Sequence, residues 1–517
     1  MEMSTLIPDA VPRNPDLPVS AGANPGPILE PGRNCWLIEA CDRASVLVDA
    51  AEYYHLAGEA MQSARQRILI IGWEFDTRIR LEPGRAGGGQ TLGEFILALA
   101  RAMPARRISI LKWGFGALKQ LLRPSALWML WRWHCTRAIA FRFDRAHPPG
   151  CSHHQKILVV DDCLAVCGGI DMSTARWDTS EHLDDDPRRI GPEGRPYPPW
   201  HDVTMMLAGP VAAALGELGA ERWQRATSEP LDPLPDCSEV LWPDDLPVQF
   251  ENVRVGIART RSVYDGCAEI REIEALYLDM VAAAQDVIYI ENQYFTSARV
   301  AVAIAARLKE PHPPEVVMVM PRKADGWLEQ VAMDAARIRL ARKIAEADPG
   351  NRFRIYVPVT AGRQDIYVHA KVMIVDHRLL RIGSSNLNNR SLGLDSECDV
   401  VIDAALPGNQ HVAPTIAQLR TRLLSEHLSV EPAVFEAEFA RSGSLTATIE
   451  ALRCDGRSLD LLDLTRPGPL DKFVADNELL DPESADGFFE PMGRRGLRRR
   501  WREGLQRLRR LRPSIMS

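Results

Sequence analysis

The sequence lacks several features that would place it in other classes of protein. It has no apolar run of the roughly 18 residues that predict a membrane-spanning helix. Its first residues carry neither the basic nor the apolar stretch of a secretory signal. A basic excess is also missing, because 62 Lys and Arg residues face 69 Asp and Glu residues, for a net charge of −7. We therefore expect no spanning helix and no secretion, and the charge argues against a general nucleic-acid binder.

Paired cysteines with metal-ligand spacing are missing as well. The ten cysteines are scattered, and Cys163 and Cys167 flank a predicted strand with no His or Cys set nearby. We expect reduced thiols in the core, no structural zinc, no other metal site and no disulfide framework. What is present is ordinary for a globular protein, with 46% apolar and 25% charged residues. A chain of 517 residues is long enough for two to four domains.

A short motif with the spacing His-x-Lys-x4-Asp occurs twice. Its members are His154, Lys156 and Asp161 in the first copy, and His369, Lys371 and Asp376 in the second. The apolar run between Lys and Asp predicts a buried strand, on which His and Lys would project to one face. After six intervening residues, each Asp is followed by a further related segment, residues 168–171 and 383–386. A lone His on a strand is usually a core residue, but two matched copies indicate a site.

The order of predicted elements also repeats. A helix over residues 44–66 and a buried strand over 67–73 are matched by a helix over 270–285 and a strand over 286–292. Trp73 precedes His154 by 81 residues, and Asn292 precedes His369 by 77. This near-match predicts an internal duplication. We expect an α/β fold of two duplicated α/β/α lobes, packed about a pseudo-two-fold axis with one shared active site, plus a helical C-terminal extension.

Composition shifts predict the domain boundaries. The predicted segments are a disordered Pro/Gly-rich arm (1–33), a first lobe (34–235), a second lobe (236–430), a helical extension (431–490) and a basic amphipathic tail (491–517).

The paired motif predicts a particular chemistry. Two imidazoles can divide the labour, one attacking as a nucleophile and the other protonating the leaving group. Lys156 and Lys371 would supply positive charge, while Asn386 and Ser384 would supply neutral donors. Such a cage suits a phosphodiester, whose oxygens need stabilisation as phosphorus becomes five-coordinate. We expect neither a metal nor a cofactor, because His and Lys replace the Lewis acid.

These residues resemble the motifs of the phospholipase D superfamily, and the likeness runs from about residue 44 to about residue 426. It extends to eukaryotic-type features in residues 168–171, 175–178, 199–203 and 290–295. The resemblance implies phosphodiester exchange through a covalent phosphohistidine. It makes His154 the nucleophile, and His369 the acid that protonates the departing alcohol and then activates water or an acceptor alcohol.

The resemblance also implies roles for the neighbouring polar residues. Lys156, Lys371 and Asn386 would hold the phosphoryl oxygens. Asp161 and Asp376 belong to the catalytic motif and would fix its local geometry, and Asp202 and Glu397 resemble carboxylates that orient the histidines. The first-half counterpart of Asn386 is Asp171, a carboxylate that we expect to stay off the phosphate.

The leading functional prediction is a phospholipase D that releases the head group of glycerophospholipids to give phosphatidic acid, with transphosphatidylation to alcohols as an accompanying activity. A cardiolipin-synthase-like phosphatidyltransferase is the main alternative. A nuclease of the same superfamily and an inactive lipid-binding scaffold stay open as less favoured readings. The resemblance gives no head-group specificity, and the sequence gives no oligomeric state.

Two segments predict contact with a membrane surface. The Trp-rich stretch of residues 113–133 fits either a core helix or an interfacial element. The tail between Arg494 and Arg512 holds ten arginines and one glutamate, with Leu497 and Trp501 on an apolar stripe. We expect a cytoplasmic protein that associates peripherally with anionic lipid and does not bind nucleic acid.

Overall fold

The computed structural model describes residues 26–84, 89–114, 124–235, 242–324 and 327–464. The first half contains strands β1 (Leu37–Val48), β2 (Arg67–Gly72), β3 (Arg107–Trp113), β4 (Ile139–Asp144), β5 (Ile157–Val160), β6 (Leu164–Gly168), β7 (Trp200–His201) and β8 (Val203–Ala208). Its helices are α1 (Asp49–Ser63), α2 (Leu92–Ala102), α3 (Pro124–His134) and α4 (Pro210–Thr227).

The second half contains strands β9 (Phe250–Arg261), β10 (Ile270–Arg271), β11 (Val287–Asn292), β12 (Glu315–Val319), β13 (Phe353–Val359), β14 (Tyr367–Val368), β15 (Lys371–Val375), β16 (Leu379–Gly383), β17 (Glu397–Asp403) and β18 (Ser458–Leu461). Its helices are α5 (Glu272–Ala283), α6 (Ala298–Arg307), α7 (Trp327–Glu346), α8 (Asn389–Gly393), α9 (Ala413–Leu428), α10 (Pro432–Ser442) and α11 (Leu445–Leu452).

One 16-stranded mixed sheet runs through both halves of the described chain, which confirms the α/β class. Its order is β18-β13-β12-β11-β15-β16-β17-β9-β1-β8-β6-β5-β2-β3-β4, with β10 paired to β9. Outward from the central β9–β1 pair, the strands follow equivalent orders in the two halves. Both outer sets, β2-β3-β4 and β11-β12-β13, are parallel. This repetition agrees with the internal duplication predicted from the sequence, which stays a prediction.

Alternating strand residues divide the core between the two faces of the sheet. Leu69 and Ile71 of β2 face a hydrophobic cluster that spans both halves and includes residues of α4 and α9. Ile68 and Ile70 face a second cluster with α1 and α2. In the second half, Ile288 of β11 faces a third cluster with α5 and α6. The fold is therefore layered, with helices on both faces and the sheet between them.

The helix predicted over residues 44–66 begins later than expected. Residues 44–48 belong to β1, which pairs with β8 on one side and β9 on the other, and α1 starts at Asp49. The segment Ser45-Val46-Leu47-Val48 is fully buried and rich in β-branched residues, so two flanking strands outweigh the local helical pattern. Asp49 has a φ of 68°, which ends the strand.

Both ends of the described chain differ from expectation. Part of the predicted disordered arm contacts the folded chain: the Ile28 N–H donates to Asp403 at 2.8 Å, and Leu29 is buried, while most of residues 26–33 are exposed. Residues 1–25 lie outside the described residues. The predicted helical extension contains α10 and α11, but also β18, which pairs antiparallel with β13 at the sheet edge. Residues 465–490 and the arginine-rich tail lie outside the described residues.

Cysteine chemistry differs at one position. Cys163, at the turn between β5 and β6, is disulfide-bonded, so the expectation of free thiols throughout is wrong there. Other cysteines in the described ranges, including Cys167 and Cys398, are free. Across the same ranges, no helix combines the length and the low charge that crossing a bilayer requires.

Candidate active site

Each motif histidine lies in an extended segment that pairs with the opposite half of the chain. The His154 N–H donates to the Ser396 carbonyl at 2.9 Å, and the His369 N–H donates to the His201 carbonyl at 2.8 Å. The regular strands begin only at Ile157 and at Lys371, so the prediction that both histidines sit within strands is wrong. The backbone bonds to the other half hold the two segments instead.

A buried carboxylate from the opposite half holds each imidazole. His154 Nδ1 lies 3.1 Å from both carboxylate oxygens of Glu397, and His369 Nδ1 lies 2.6 Å from Asp202 Oδ2. Both carboxylates are completely buried. Because Glu397 directly follows Ser396 and Asp202 directly follows His201, each half supplies both the backbone partner and the carboxylate of the other half's histidine.

Burial decides the protonation of these groups. It lowers the pKa of His154 and of His369 well below the usual value, and the nearby lysine charges act in the same direction. Burial also raises the pKa of Glu397 to about 8 and raises the pKa of Asp202. Neutral imidazoles that donate from Nδ1 keep a lone pair on Nε2. Each histidine is therefore arranged to present a nucleophilic or basic nitrogen.

The two motif lysines have different surroundings. Lys156 Nζ lies 3.2 Å from Asp171 Oδ2 and donates to the His154 carbonyl at 2.9 Å. Asp171 thus neutralises Lys156, in keeping with its expected position off the phosphate. Lys371 is completely buried and donates to the His369 carbonyl. Its burial lowers its pKa to about 7, partly opposed by the charge of Asp202.

Asp161 and Asp376 lie outside the catalytic cluster, which corrects their place among the catalytic residues. Asp161 accepts the backbone N–H groups of Arg65, Gln66 and Arg67 at 2.6–2.8 Å. Asp376 accepts those of the three corresponding residues at 2.8–3.0 Å, and these residues are Gln285, Asp286 and Val287. Each aspartate fixes the start of the strand beside its own motif, β2 or β11.

The two neutral donors are placed differently from one another. The Ser384 hydroxyl is buried and donates to Glu397 Oε2 at 2.5 Å, which corrects its expected place in the phosphate cage. It supports the carboxylate behind His154. Asn386 Nδ2 lies 3.5 Å from Gln293 Oε1, and its buried Oδ1 finds no hydrogen-bond partner among the described residues. Because its contact with Gln293 is long, the Asn386 Nδ2 donor is available to an oxygen of a ligand.

Aromatic rings and one arginine complete the cluster, and the sequence did not assign them to the site. The Trp73 ring lies 5.8 Å from the His154 ring, and the Trp200 ring lies 5.2 Å from the His369 ring. The Arg176 guanidinium stacks 4.1 Å over Trp200, which also stacks on Tyr367. Trp73 directly follows β2 and Trp200 directly precedes His201. The sequence signal that could have assigned Trp73 and Trp200 to the site is their position next to segments that carry or pair with the motifs.

A second polar cluster lies beneath this site and could hold a metal ion. Asp49, His182, His201 and Glu426 bring their ligand atoms within 4.8 Å of one another. The geometry therefore offers two things: paired imidazoles with cationic side chains suited to an anionic ester, and a separate set of buried donors.

Comparisons with known proteins agree with a site of paired imidazoles for an anionic ester. Residues 277–420 match a family model described as cardiolipin synthase, PLD-like domain. The chain is 24% identical to phospholipase D alpha 1 of Vigna unguiculata over 72% of its length, and 24% identical to phospholipase D A of Dictyostelium discoideum over 75%. It spans only 63% and 36% of those relatives, respectively.

A solved structure shares the fold. The crystal structure of phosphatidylserine synthase from Haemophilus influenzae Rd KW20 superposes with a TM-score of 0.53 at 14% identity, covering 80% of this chain and 97% of that one. At this identity the likeness concerns the fold alone.

Proposed function

Because the family model and the curated relatives support the phospholipase D superfamily, we propose that this chain is a phospholipase D-type phosphodiesterase. Its substrate is a glycerophospholipid, and its products are phosphatidic acid and the free head-group alcohol. The observation that carries the proposal is the pair of histidines, each held at Nδ1 by a buried carboxylate from the opposite half. Two such imidazoles supply a nucleophile and an acid to one phosphorus.

In the first step, Nε2 of His154 attacks phosphorus and forms a phosphorus–nitrogen bond. The bond between phosphorus and the head-group oxygen breaks, and this oxygen takes a proton from His369. Lys156, Lys371, Arg176 and the Asn386 amide stabilise the charge that gathers on the phosphoryl oxygens. The bound phosphodiester anion offsets the lysine charges that lower the pKa of His369, so substrate binding favours its protonated form.

In the second step, neutral His369 takes a proton from water, whose oxygen attacks phosphorus and breaks the phosphorus–nitrogen bond. His154 returns to its free form and phosphatidic acid leaves. An alcohol in place of water gives a phosphatidyl transfer by the same steps. The description of the matched family model favours a lipid hydroxyl as a second class of acceptor, which makes a phosphatidyltransferase our alternative proposal.

We also propose that the protein meets its substrate at a membrane surface. Trp128 and Trp131 on α3 are 58% and 55% exposed and stack on each other at 4.9 Å. Exposed indoles favour the headgroup region of a bilayer. The arginine-rich tail would add attraction to anionic lipid, at about 1 kcal/mol for each basic residue near the surface.

The decisive experiment compares substrates on the purified full-length protein. Vesicles of phosphatidylcholine, phosphatidylethanolamine and phosphatidylglycerol are incubated in parallel with single-stranded DNA, and products are identified by mass spectrometry. We expect phosphatidic acid from a vesicle substrate, phosphatidyl-alcohol when ethanol is added, and intact DNA. Cleaved DNA with intact lipid would replace the proposal with a nuclease. If protein with native thermal stability forms neither product, the function that remains is that of a binding scaffold.

A further inference from the structure

Four donor residues from distant parts of the sequence converge below the active site. Asp49 opens α1, His182 lies in the loop after β6, His201 lies on β7 and Glu426 lies near the end of α9. The side chains of His182, His201 and Asp49 are at most 1% exposed, and that of Glu426 is 7% exposed. Buried charged groups need partners or a metal, because their desolvation is costly.

Four distances between histidine nitrogens and carboxylate oxygens lie close to the ligand spacing of a tetrahedral metal site, with Asp49 offering a different oxygen to each histidine. His182 Nε2 lies 3.3 Å from Glu426 Oε1 and 3.5 Å from Asp49 Oδ2. His201 Nδ1 lies 3.2 Å from Glu426 Oε1 and 3.1 Å from Asp49 Oδ1. Tetrahedral Zn²⁺ holds nitrogen and oxygen ligands at about 2.0–2.1 Å, which places the ligands about 3.3–3.4 Å apart.

Two donor atoms in this group have ion-pair contacts but no well-aligned hydrogen bond. Asp49 Oδ2 and His201 Nδ1 are both buried, and each lies within 3.5 Å of an oppositely charged group of the cluster without hydrogen-bond geometry to any described residue. Buried polar atoms nearly always have a well-aligned hydrogen bond, so two atoms without one in a single buried cluster call for an explanation. The other oxygen of Asp49 accepts the Asp202 N–H at 3.2 Å, and Oδ2 faces His182.

Outer carboxylates orient both histidines as they do in metal sites. His182 Nδ1 lies 2.9 Å from Asp178 Oδ2, and His201 Nε2 lies 2.9 Å from Glu291 Oε2. Ligating histidines almost always donate their other ring N–H to a carboxylate or carbonyl in this way. Glu291 is held in turn by the Tyr289 hydroxyl at 2.5 Å and by His427 Nε2 at 3.0 Å.

We propose that Asp49, His182, His201 and Glu426 bind one structural Zn²⁺ ion. Two imidazoles with two carboxylates suit Zn²⁺, whereas Ca²⁺ and Mg²⁺ prefer oxygen ligands alone. Burial of the four ligands makes the site closed, as in structural zinc sites. This departs from the sequence expectation of no metal, and it is independent of the proposed reaction at His154.

The ion would fix the carboxylate that orients His369. His201 directly precedes Asp202, and the Asp49 N–H donates to the Asp202 carbonyl at 2.8 Å. Asp49 and Asp202 therefore bond reciprocally through their backbones and one side chain. The site would also join α1 and β7 of the first half to α9 of the second. Asp49 and His201 act on the reaction only through Asp202, as positioning residues.

The test measures metal in the full-length protein, expressed with Zn²⁺ in the medium and purified without chelator. Inductively coupled plasma mass spectrometry should find about one zinc per chain, and zinc-edge X-ray absorption should find two nitrogen and two oxygen ligands. Zinc at trace level in folded wild-type protein, or a ligand shell with sulfur, would overturn the proposal without any variant being needed.

Variants locate the ion. Asp49→Asn preserves shape and tolerates the positive φ at this position, while weakening a ligand. It and Glu426→Gln should each lower zinc content at least tenfold. The control is His55→Gln in the exposed group His55, Glu59 and Asp245, which should keep the zinc. Zinc that is lost in His55→Gln and retained in Asp49→Asn is an adventitious ion at the surface, and the proposal is then wrong.

Discussion

His154 and His369 are the same side chain in closely similar surroundings, so the environment must separate their proposed roles. Each donates from Nδ1 to a buried carboxylate and each lies beside a lysine. The lysines differ, because Lys156 is paired with Asp171 whereas Lys371 is buried without such a direct ion pair at the described residues. The Arg176 charge lies close enough to His369 to lower its pKa further. Both halves of the site therefore contain the same histidine and lysine side chains, but the charges around the two histidines differ.

The first prediction separates the two histidines by leaving group. His154→Ala should abolish turnover, because no phosphohistidine can form. His369→Ala should lower kcat by about 10²- to 10⁴-fold on phosphatidylcholine, the usual contribution of a general acid. A phosphatidyl ester of p-nitrophenol needs no proton on departure, so His369→Ala should still form the phosphoenzyme with it. Mass spectrometry should find the label on His154, and label on His369 would reverse the roles.

The second prediction concerns pH and Lys371. Its pKa is lowered to about 7, so its charged form prevails below pH 7 and is lost above. We expect kcat/KM to bend downward as pH rises through about 7, because the free enzyme then loses a phosphate-binding charge. Lys371→Arg keeps its charge at all these pH values and should remove the bend. A profile without a bend near pH 7 in the wild-type protein would contradict this role.

At the residue scale, sequence reasoning identified the reactive groups but not all of their supports. His154, His369 and both lysines stood out because spacing alone marks them, and the structure brings all four together. Ser384 was assigned to phosphate because a hydroxyl near a site suggests a donor. Its actual contact with Glu397 depends on two segments meeting in space, which spacing does not encode.

At the scale of elements, strands with a continuous apolar run were predictable. The strands predicted over residues 67–73 and 286–292 correspond to β2 and β11, and each differs from the structure by one residue. The central strand β1 was assigned in part to the helix predicted over residues 44–66, although residues 44–48 belong to the strand. Its identity as a strand comes from pairing with β8 and β9, far away in sequence. Long-range pairing of this kind overrides local propensity.

The exposed indoles of α3 provide the third prediction. Trp128→Ser and Trp131→Ser together should weaken sedimentation with phosphatidylcholine vesicles severalfold, because indoles no longer enter the headgroup region. Activity on a soluble short-chain phospholipid should be unchanged. Val302→Ser on α6, which removes a side chain that is 67% exposed, is the control and should leave vesicle binding intact. Equal losses on both substrates with lower thermal stability would assign the indoles to packing.

The arginine-rich tail provides the fourth prediction. Deleting residues 494–517 should reduce sedimentation with anionic vesicles, most strongly at low salt, and should spare activity on soluble substrate. The physical reason is that ionic strength screens attraction between arginine and anionic lipid. Equal vesicle binding by the truncated and full-length proteins at every salt concentration would leave the tail without this role.

At the scale of the whole molecule, the crossed carboxylates give the fifth prediction. Asp202→Asn should act like His369→Ala: it should lower kcat on the order of 10²-fold, and a p-nitrophenol leaving group should rescue it. Glu397→Gln should slow phosphoenzyme formation with both leaving groups, because its partner His154 attacks in either case. Burst-phase kinetics separate these outcomes. Rescue of Glu397→Gln, or failure to rescue Asp202→Asn, would contradict the crossed pairing.

The crossed arrangement could not be predicted from the sequence. The two carboxylates follow their nearest upstream motifs at unequal distances, 48 residues from His154 to Asp202 and 28 from His369 to Glu397. Their partners are set by the pairing of residues 152–154 and 367–369 with the opposite half, which is a long-range contact. The donors of the proposed zinc site are spread from Asp49 to Glu426 and leave no spacing signature either.

Crossed pairing also has a consequence for translation. The ribosome adds His154 to the chain well before Glu397, so a nascent chain carries its nucleophile without the carboxylate that orients it. A stalled product that ends before β17 would lack the carboxylate of His154, and a proteolytic fragment of either half would contain neither complete histidine–carboxylate pair. In the proposed reaction, a copy that stops before β17 or is split between the halves is therefore slow to attack the membranes around it, and full activity requires both pairs.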